Sequence, residues 1–402
     1  MPGIEKSSVR TQLPCETAMN DIEKLRFFPT VNAGLLGATL TAWRVRFPLM
    51  GVCAFLPEAQ KNQVSQLQAE CERLHIPLVG AIFPALIHQG AFHTDGVWFL
   101  RFDTMPFYAL HADLPVNAEG TERSADLLVQ EVVTQIEDQR DATLLMLFDA
   151  MVPNIGSTLD AMYLRLANRV HYAGANAGSE TFQPMPCLFD GNRIVSNGVL
   201  MVLLPDHKGA ILEHGYQAPQ HTVYATSTSG NCISQIDWRP AFEVYQELVH
   251  SQYGIQVTRD NFYEHAVHFP FGIVRANHHV VVRIPVMLND DGSLFCVGEV
   301  PPNSVLTLLK SPTVDSHETL AVLTDGLTAL NGNCAGTELL LFYCAGRRMH
   351  LGLERATSEL QEFEARTQAA HIAGALSLGE IGGSTLHGYP LFHNATLVAA
   401  RW

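Results

Sequence analysis

Dense apolar runs alternate along the chain with polar stretches whose apolar residues recur at helical spacing, and one such order occurs three times. The first copy opens with the run 47–56 (FPLMGVCAFL). A helix follows, with Val64, Leu67, Cys71 and Leu74 on one face. Next come the strand 75–83 (HIPLVGAIF), a loop, and the strand 96–102 (GVWFLRF). The second copy reads 143–148 (TLLMLF), a helix bearing Leu159, Met162, Leu166 and Val170, then 171–175 (HYAGA), a long loop and 198–204 (GVLMVLL). The third reads Glu338–Cys344 (ELLLFYC), a helix with Ala356, Leu360 and Phe363 aligned, then 371–376 (HIAGAL), a Gly-rich loop and 395–400 (ATLVAA).

These strands carry too few polar positions to have one solvated face, and each helix is long enough to cross a sheet. The pattern predicts an α/β fold of layered sheets built from repeated β-α-β-loop-β units. Further helices are expected at 124–139, at 240–250 with Pro240 in its first turn, and at 316–330. The stretch 279–310 reads as β structure with a turn at NDDGS. No Gly-, Ser- or Pro-rich linker marks a hinge. A boundary near Trp238 divides the chain into 30–238 and 239–402, with 1–29 as an N-terminal extension.

Composition narrows the class of partner. Charged residues make up 16% of the chain, against about 25% in an ordinary globular domain. Lys and Arg number 25 against 40 Asp and Glu, a net charge of −15. That balance disfavours nucleic acid and anionic membrane surfaces, which need a basic face. The eight cysteines show no CxxC spacing, which disfavours a zinc ribbon, a thioredoxin motif or covalent haem attachment. Several lie within apolar runs, as reduced buried thiols do. The start MPGIEKSSVR lacks the apolar core of a signal peptide. Apolar runs reach only about ten residues, too short to span a bilayer. Together these features predict a soluble, cytoplasmic protein.

Candidate chemistry lies in the loops after each second strand, where layered α/β proteins bind ligands. The loop 174–197 carries Gly174, Asn176, Gly178, Met185 and Cys187; the loop 379–394 carries Glu380, His387, His393 and Asn394. Their glycines also suit plain turn geometry. Phosphate-binding motifs GxxxxGK[ST] and GxGxxG are absent. Ser377, in ALSLG, approaches a nucleophile elbow, but no Asp follows it to complete a Ser-Asp-His order.

Histidine is abundant, at 18 residues. His265 and His268 are one helical turn apart, His278 and His279 are adjacent, and His207, His214 and His221 recur at an odd spacing that no single strand face can present. A zinc enzyme needs three converging ligands, and nothing in the spacing forces them together. Non-covalent haem needs one histidine and an apolar wall. His214, in ILEHGYQAP, sits at the end of an apolar stretch where a sheet edge would open. His75, His171 and His371 each open a second strand, where a ring also serves as a packed body with a wet tip.

The ending GEIGGSTLHGYPLFHNATLVAA resembles the C-terminal signature of FIST domains. The segments HIPLVGAIF, DGVWFLRF, HYAGANAGSETFQ and HGYQAP resemble the N-terminal FIST half; HFPFGI, VVVRIPV and GEVPPNSVLTLL resemble the C-terminal half. The likeness covers nearly all of residues 30–402. It implies two FIST halves and a sensory function without catalysis. The stand-alone layout is similar to that of haem-binding nitric oxide sensors, which regulate a histidine kinase or a cyclic-di-GMP enzyme in trans. This resemblance implies haem b, with His214 as first choice of iron ligand and His221, His268 and His171 as alternatives. Glu380, His393 and Asn394 match the general family pattern. Two other readings stand beside it: a FIST module for an amino acid or another small metabolite, held by Glu380, Asn394 and the GANAGS amides; and a metalloenzyme using His265 and His268 or the 207, 214, 221 set. A homodimer is left open.

Overall fold

The three repeats fold as three sheet-forming units. In the first, Gly51–Pro57 runs parallel to Leu78–Phe83 and antiparallel to Val97–Phe102. The second sets Ala142–Asp149 parallel to His171–Ala177 and antiparallel to Val199–Pro205. The third does the same with Glu338–Cys344, His371–Ser377 and Leu397–Arg401. Crossover helices Val64–Arg73, Ile155–Leu166 and Leu353–Thr367 join each parallel pair. This computed structural model describes residues 23–136, 141–275, 279–310, 317–383 and 389–402; His278 and His387 lie outside them.

Each unit also has an edge strand beside its last strand: Leu25–Phe28, Tyr108–His111 and Ile211–Glu213. The first of these lies in the segment expected to be an extension; LRFF is too short a run to be read as a strand alone. A helix follows each edge strand: Ala33–Arg46, Ala118–Val133 and His317–Asn331. The second of these begins earlier than its apolar spacing suggested, because the Asn117 side chain accepts from Gly120 N at 2.7 Å and caps it.

The expected Gly-rich loops contain short hairpins, and each hairpin leaves its own unit. Leu86–His88 and Ala91–His93 of the first unit join the third unit's sheet through Ala375. Leu188–Asp190 and Ile194–Val195 of the second join the first at Ala81. Glu380–Gly382 and Leu391–His393 of the third join the second at Ala175. The units are therefore interlocked in a cycle.

Alternation along the strands explains their unbroken hydrophobicity. Leu145, Leu147, Ala173 and Ala175 face a core shared with Phe55 and Phe83 of the first unit and Leu340 and Phe342 of the third. Their neighbours Leu144, Met146 and Phe148 pack outward on helix residues Leu128, Val132, Leu159 and Met162. Both faces are covered, so neither needs polar residues.

Between its edge strand and helix, the third unit carries an insertion. Its eight-stranded sheet includes Val223–Ser229, Cys232–Ile236, Phe271–Val274, Val280–Arg283, Pro285–Leu288 and Leu294–Cys296. Helix Ala241–Tyr253 packs on it through Val244, Tyr245 and Leu248. The junction near Trp238 falls within this sheet, since Cys232–Ile236 pairs with Arg239–Pro240 across the turn. Buried Arg283 ties the insertion to the third unit's hairpin, donating to the carbonyls of Val282, Glu299 and Phe392 at 3.0, 2.9 and 2.7 Å. Among the described residues, no helix is long and apolar enough to cross a membrane.

Candidate functional site

The insertion closes over the ends of the second and third units' strands and leaves a cavity of about 400 Å³. Ala150–Pro153 and Glu180–Phe182 form one side; Val286, Phe295 and Val297 of the insertion form the other, with Phe392 of the exchanged hairpin. A smaller cavity of about 50 Å³ shares Glu180, Phe182, Tyr263, Val286 and Val297 with it, and reaches Cys344 and Asn394. The walls are mostly apolar, as in small-molecule sites generally.

Asn176 is the polar exception. It lies on the strand His171–Ala177, is buried, and lines the larger cavity. Its main chain is held by the third unit: its N–H donates to Gly379 O at 2.8 Å, and its carbonyl accepts from Leu378 N at 3.0 Å. Neither side-chain amide atom has a hydrogen-bond partner among the described residues. Asn231 Oδ1, at the same cavity, is also unpartnered there. Strand pairing aligns Asn176 with Ile82 and Leu376 of the other units, since Ala81, Ala175 and Ala375 occupy matching registers. The triplets G-A-I, G-A-N and G-A-L thus carried a signal: one copy breaks an apolar position.

Glu380 breaks another. Its matching residues in the other exchanged hairpins are Leu86 and Leu188. Its carboxylate is fully buried, accepting from Ser377 Oγ at 2.5 Å and from Thr396 Oγ1. Burial pushes its pKa up to about 7, against the pull of the Ser377, Thr396 and Cys344 hydrogen bonds. Glu380 belongs to the joint between hairpin and strand and does not line either cavity among the described residues. Ser377 is buried in the same knot and presents no exposed hydroxyl.

Gly379 and Gly298 create the space for this joint. A Cβ on Gly379 would stand 2.5 Å from Phe392 Cζ, and one on Gly298 would stand 2.7 Å from Phe392 Cε1. The ring is therefore gripped between two glycines, of which Gly298 also lines the larger cavity.

The predicted histidines do not converge. His214 is partly buried, and its Nδ1 accepts from Tyr216 N at 2.9 Å. Its ring centroid is 6.1 Å from that of His393. His393 is buried opposite Glu380 in the hairpin register, and burial, then His214 and Arg283, hold its pKa well below the ordinary range. His268 Nδ1 meets His350 Nδ1 at 2.8 Å. His171 stands at the opposite end of its strand, 3.7 Å from Asp141. His221 is exposed, and its carbonyl accepts from Thr307. His207 contacts Thr143 and the Arg401 carbonyl.

Other predicted residues have structural surroundings. A Cβ on Gly174 would collide with the Met146 carbonyl. Gly178 donates its N–H to Ile82 O at 2.8 Å, and Met185 packs in the central core. Asn394 Oδ1 accepts from Ile284 N at 3.3 Å, fixing the hairpin end to the insertion.

Family comparison matches the FIST N domain to residues 52–239 and the FIST C domain to residues 241–383. The chain belongs to the FIST family. FIST domains are sensory modules of signalling proteins. A comparison with curated proteins gives no match. In this FIST chain the two family segments meet inside the insertion's sheet, and strands of both line the cavity.

The haem expectation can be tested against this geometry. A proximal histidine needs a ring nitrogen available to iron and an apolar slot beside it. His214 has its Nδ1 engaged by Tyr216 N, and no histidine lines either cavity among the described residues. These residues do not fit a proximal haem ligand in this arrangement. The zinc-enzyme alternative lacks its ligand set too: among the described residues, no group of three or more His, Cys, Asp or Glu is placed to hold a metal.

Proposed function

We propose that this FIST protein is a small-metabolite sensor whose receptor site is the cavity beneath the insertion. The observation that carries this reading is the buried Asn176 amide, without a partner on either atom among the described residues, at a cavity of about 400 Å³. Leaving such groups unsatisfied costs roughly 1–3 kcal/mol each, and a bound ligand would recover that cost. Occupancy would be read through the insertion, because the cavity walls come from units joined by Arg283 and the exchanged hairpin. A ligand shifts the output only by its preference for one arrangement of these parts. The output would pass to a separate signalling enzyme, a histidine kinase or a cyclic-di-GMP enzyme.

Thermal unfolding of the full chain against a metabolite library tests the reading. At least one compound should raise the Tm, and Val297→Trp, which fills the cavity, should remove that rise. A library without effect, or a rise indifferent to Val297→Trp, sinks the proposal.

A second reading keeps haem b and nitric oxide. The neighbouring imidazoles of His214 and His393 favour it, and it requires His214 to reach an apolar slot that it does not line in this arrangement. Protein purified with haem supplied would then show a Soret band that nitric oxide moves and His214→Ala abolishes. A missing or unmoved band removes this reading.

A further inference from the structure

The chemistry of the cavity wall says what class of ligand the receptor reading should accept. Asn176 offers one acceptor and two N–H donors from a single planar group. Both atoms lack partners among the described residues. The amide exposes almost no surface in this arrangement; once turned toward the cavity, it would be satisfied on both atoms together by a ligand that places a donor beside an acceptor, in the two-bond geometry by which amide side chains read the edge of a planar ring. Asn231 Oδ1 adds a second acceptor in the same cavity.

Charge points the same way. Among the described residues lining the larger cavity, only Glu180 is formally charged. Both its oxygens are already bound by Arg348 Nη2 at 2.6 Å. An ionised ligand would enter a mostly apolar space with no counter-charge left for it, a costly transfer. Shape completes the argument. Phe182, Phe295 and Phe392 present aromatic surface around the cavity, and such surface favours stacked or edge-on rings.

We propose that the cavity selects an uncharged planar ring bearing a donor beside an acceptor, a carboxamide or lactam, read by two hydrogen bonds from Asn176. The inference rests on the receptor reading and names its ligand class. It separates this class from carboxylates and zwitterions of the same size.

Calorimetric titration of the full chain with matched probes tests it: nicotinamide, benzamide and uracil against nicotinate and benzoate. At least one neutral probe should bind, and benzamide or nicotinamide should bind at least about tenfold more tightly than its own carboxylate. Asn176→Leu, which restores the residue found at the matching position 376, should lose at least about tenfold of that affinity while unfolding as cooperatively as the parent. That loss corresponds to about 1.4 kcal/mol. A carboxylate that binds as well as its amide overturns the ligand class, as does an Asn176→Leu chain with unchanged affinity. If only phenylalanine or another charged metabolite binds, and Val297→Trp blocks it, the receptor reading survives and this inference falls. If neither these probes nor the metabolite library bind, both fall.

Discussion

The Asn176 N–H donates to the Gly379 carbonyl at 2.8 Å, across two units of the repeat. With the return bond from Leu378 N to Asn176 O at 3.0 Å, it stitches the third unit's exchanged hairpin to the second unit's strand. Gly379 can make this contact because it has no side chain and adopts φ +150°. Gly379→Ala should cost at least about 2 kcal/mol, from a Cβ driven into Phe392 and a backbone strained for alanine. Urea unfolding would measure it; a loss below about 0.5 kcal/mol would show that Phe392 yields without penalty.

Arg347 and Glu359 form a fully buried ion pair, with Nε and Nη2 donating at 2.8 and 2.6 Å. Tyr343 OH also donates to Glu359, and Arg347 Nη1 donates to the His214 carbonyl, so the pair anchors the start of the insertion. Removing one partner strands a buried charge, at about 3–5 kcal/mol. Glu359→Leu should therefore be strongly destabilised, and Arg347→Met combined with Glu359→Leu should recover much of the loss. Equilibrium unfolding of the single and double variants decides this; a double variant weaker than the single would count against it.

Glu380 sets one pH dependence. Its pKa rises from 4.5 to about 7 on folding. Between those values the unfolded chain has released a proton that the folded chain still holds. Stability therefore falls as pH rises through that window, and the penalty is complete above about pH 7. Against Glu380→Gln, the wild type should lose up to about 3 kcal/mol of relative stability between about pH 4.5 and 8. A difference that does not change with pH would place the Glu380 pKa near its ordinary value.

His393 opposes it. Its folded pKa lies well below 6.5, so below about pH 6.5 the unfolded chain takes up a proton that the folded chain refuses. That contribution falls as pH falls. His393→Val, matching Val195 of the second unit's hairpin, should lose less stability than the wild type between about pH 6.5 and 5. Parallel acid-unfolding curves for the two chains would refute this. Because the Glu380 and His393 slopes have opposite signs between about pH 4.5 and 6.5, they partly cancel in the wild type, and single variants are needed to expose either.

Much of the architecture was legible because its signals are local. Runs such as ELLLFYC show a strand covered on both faces, and the face Leu159, Met162 and Leu166 shows an amphipathic helix; neither needs knowledge of distant contacts. The threefold recurrence followed from the same patterns, and the GEIG and FHN segments carried the family. Leu188–Asp190 and Glu380–Gly382, at three residues each, were too short for a periodic signal and were read as loop. The sequence by itself thus determined the strands, the crossover helices, the repeat and the FIST resemblance, because periodicity and motif are written in neighbouring residues. Only the tertiary structure decided that the hairpins are exchanged, that His214 Nδ1 accepts from Tyr216 N, and that Asn176 meets a cavity without a partner among the described residues. Those outcomes depend on which distant residues arrive at the same place, and a one-dimensional pattern carries no record of that.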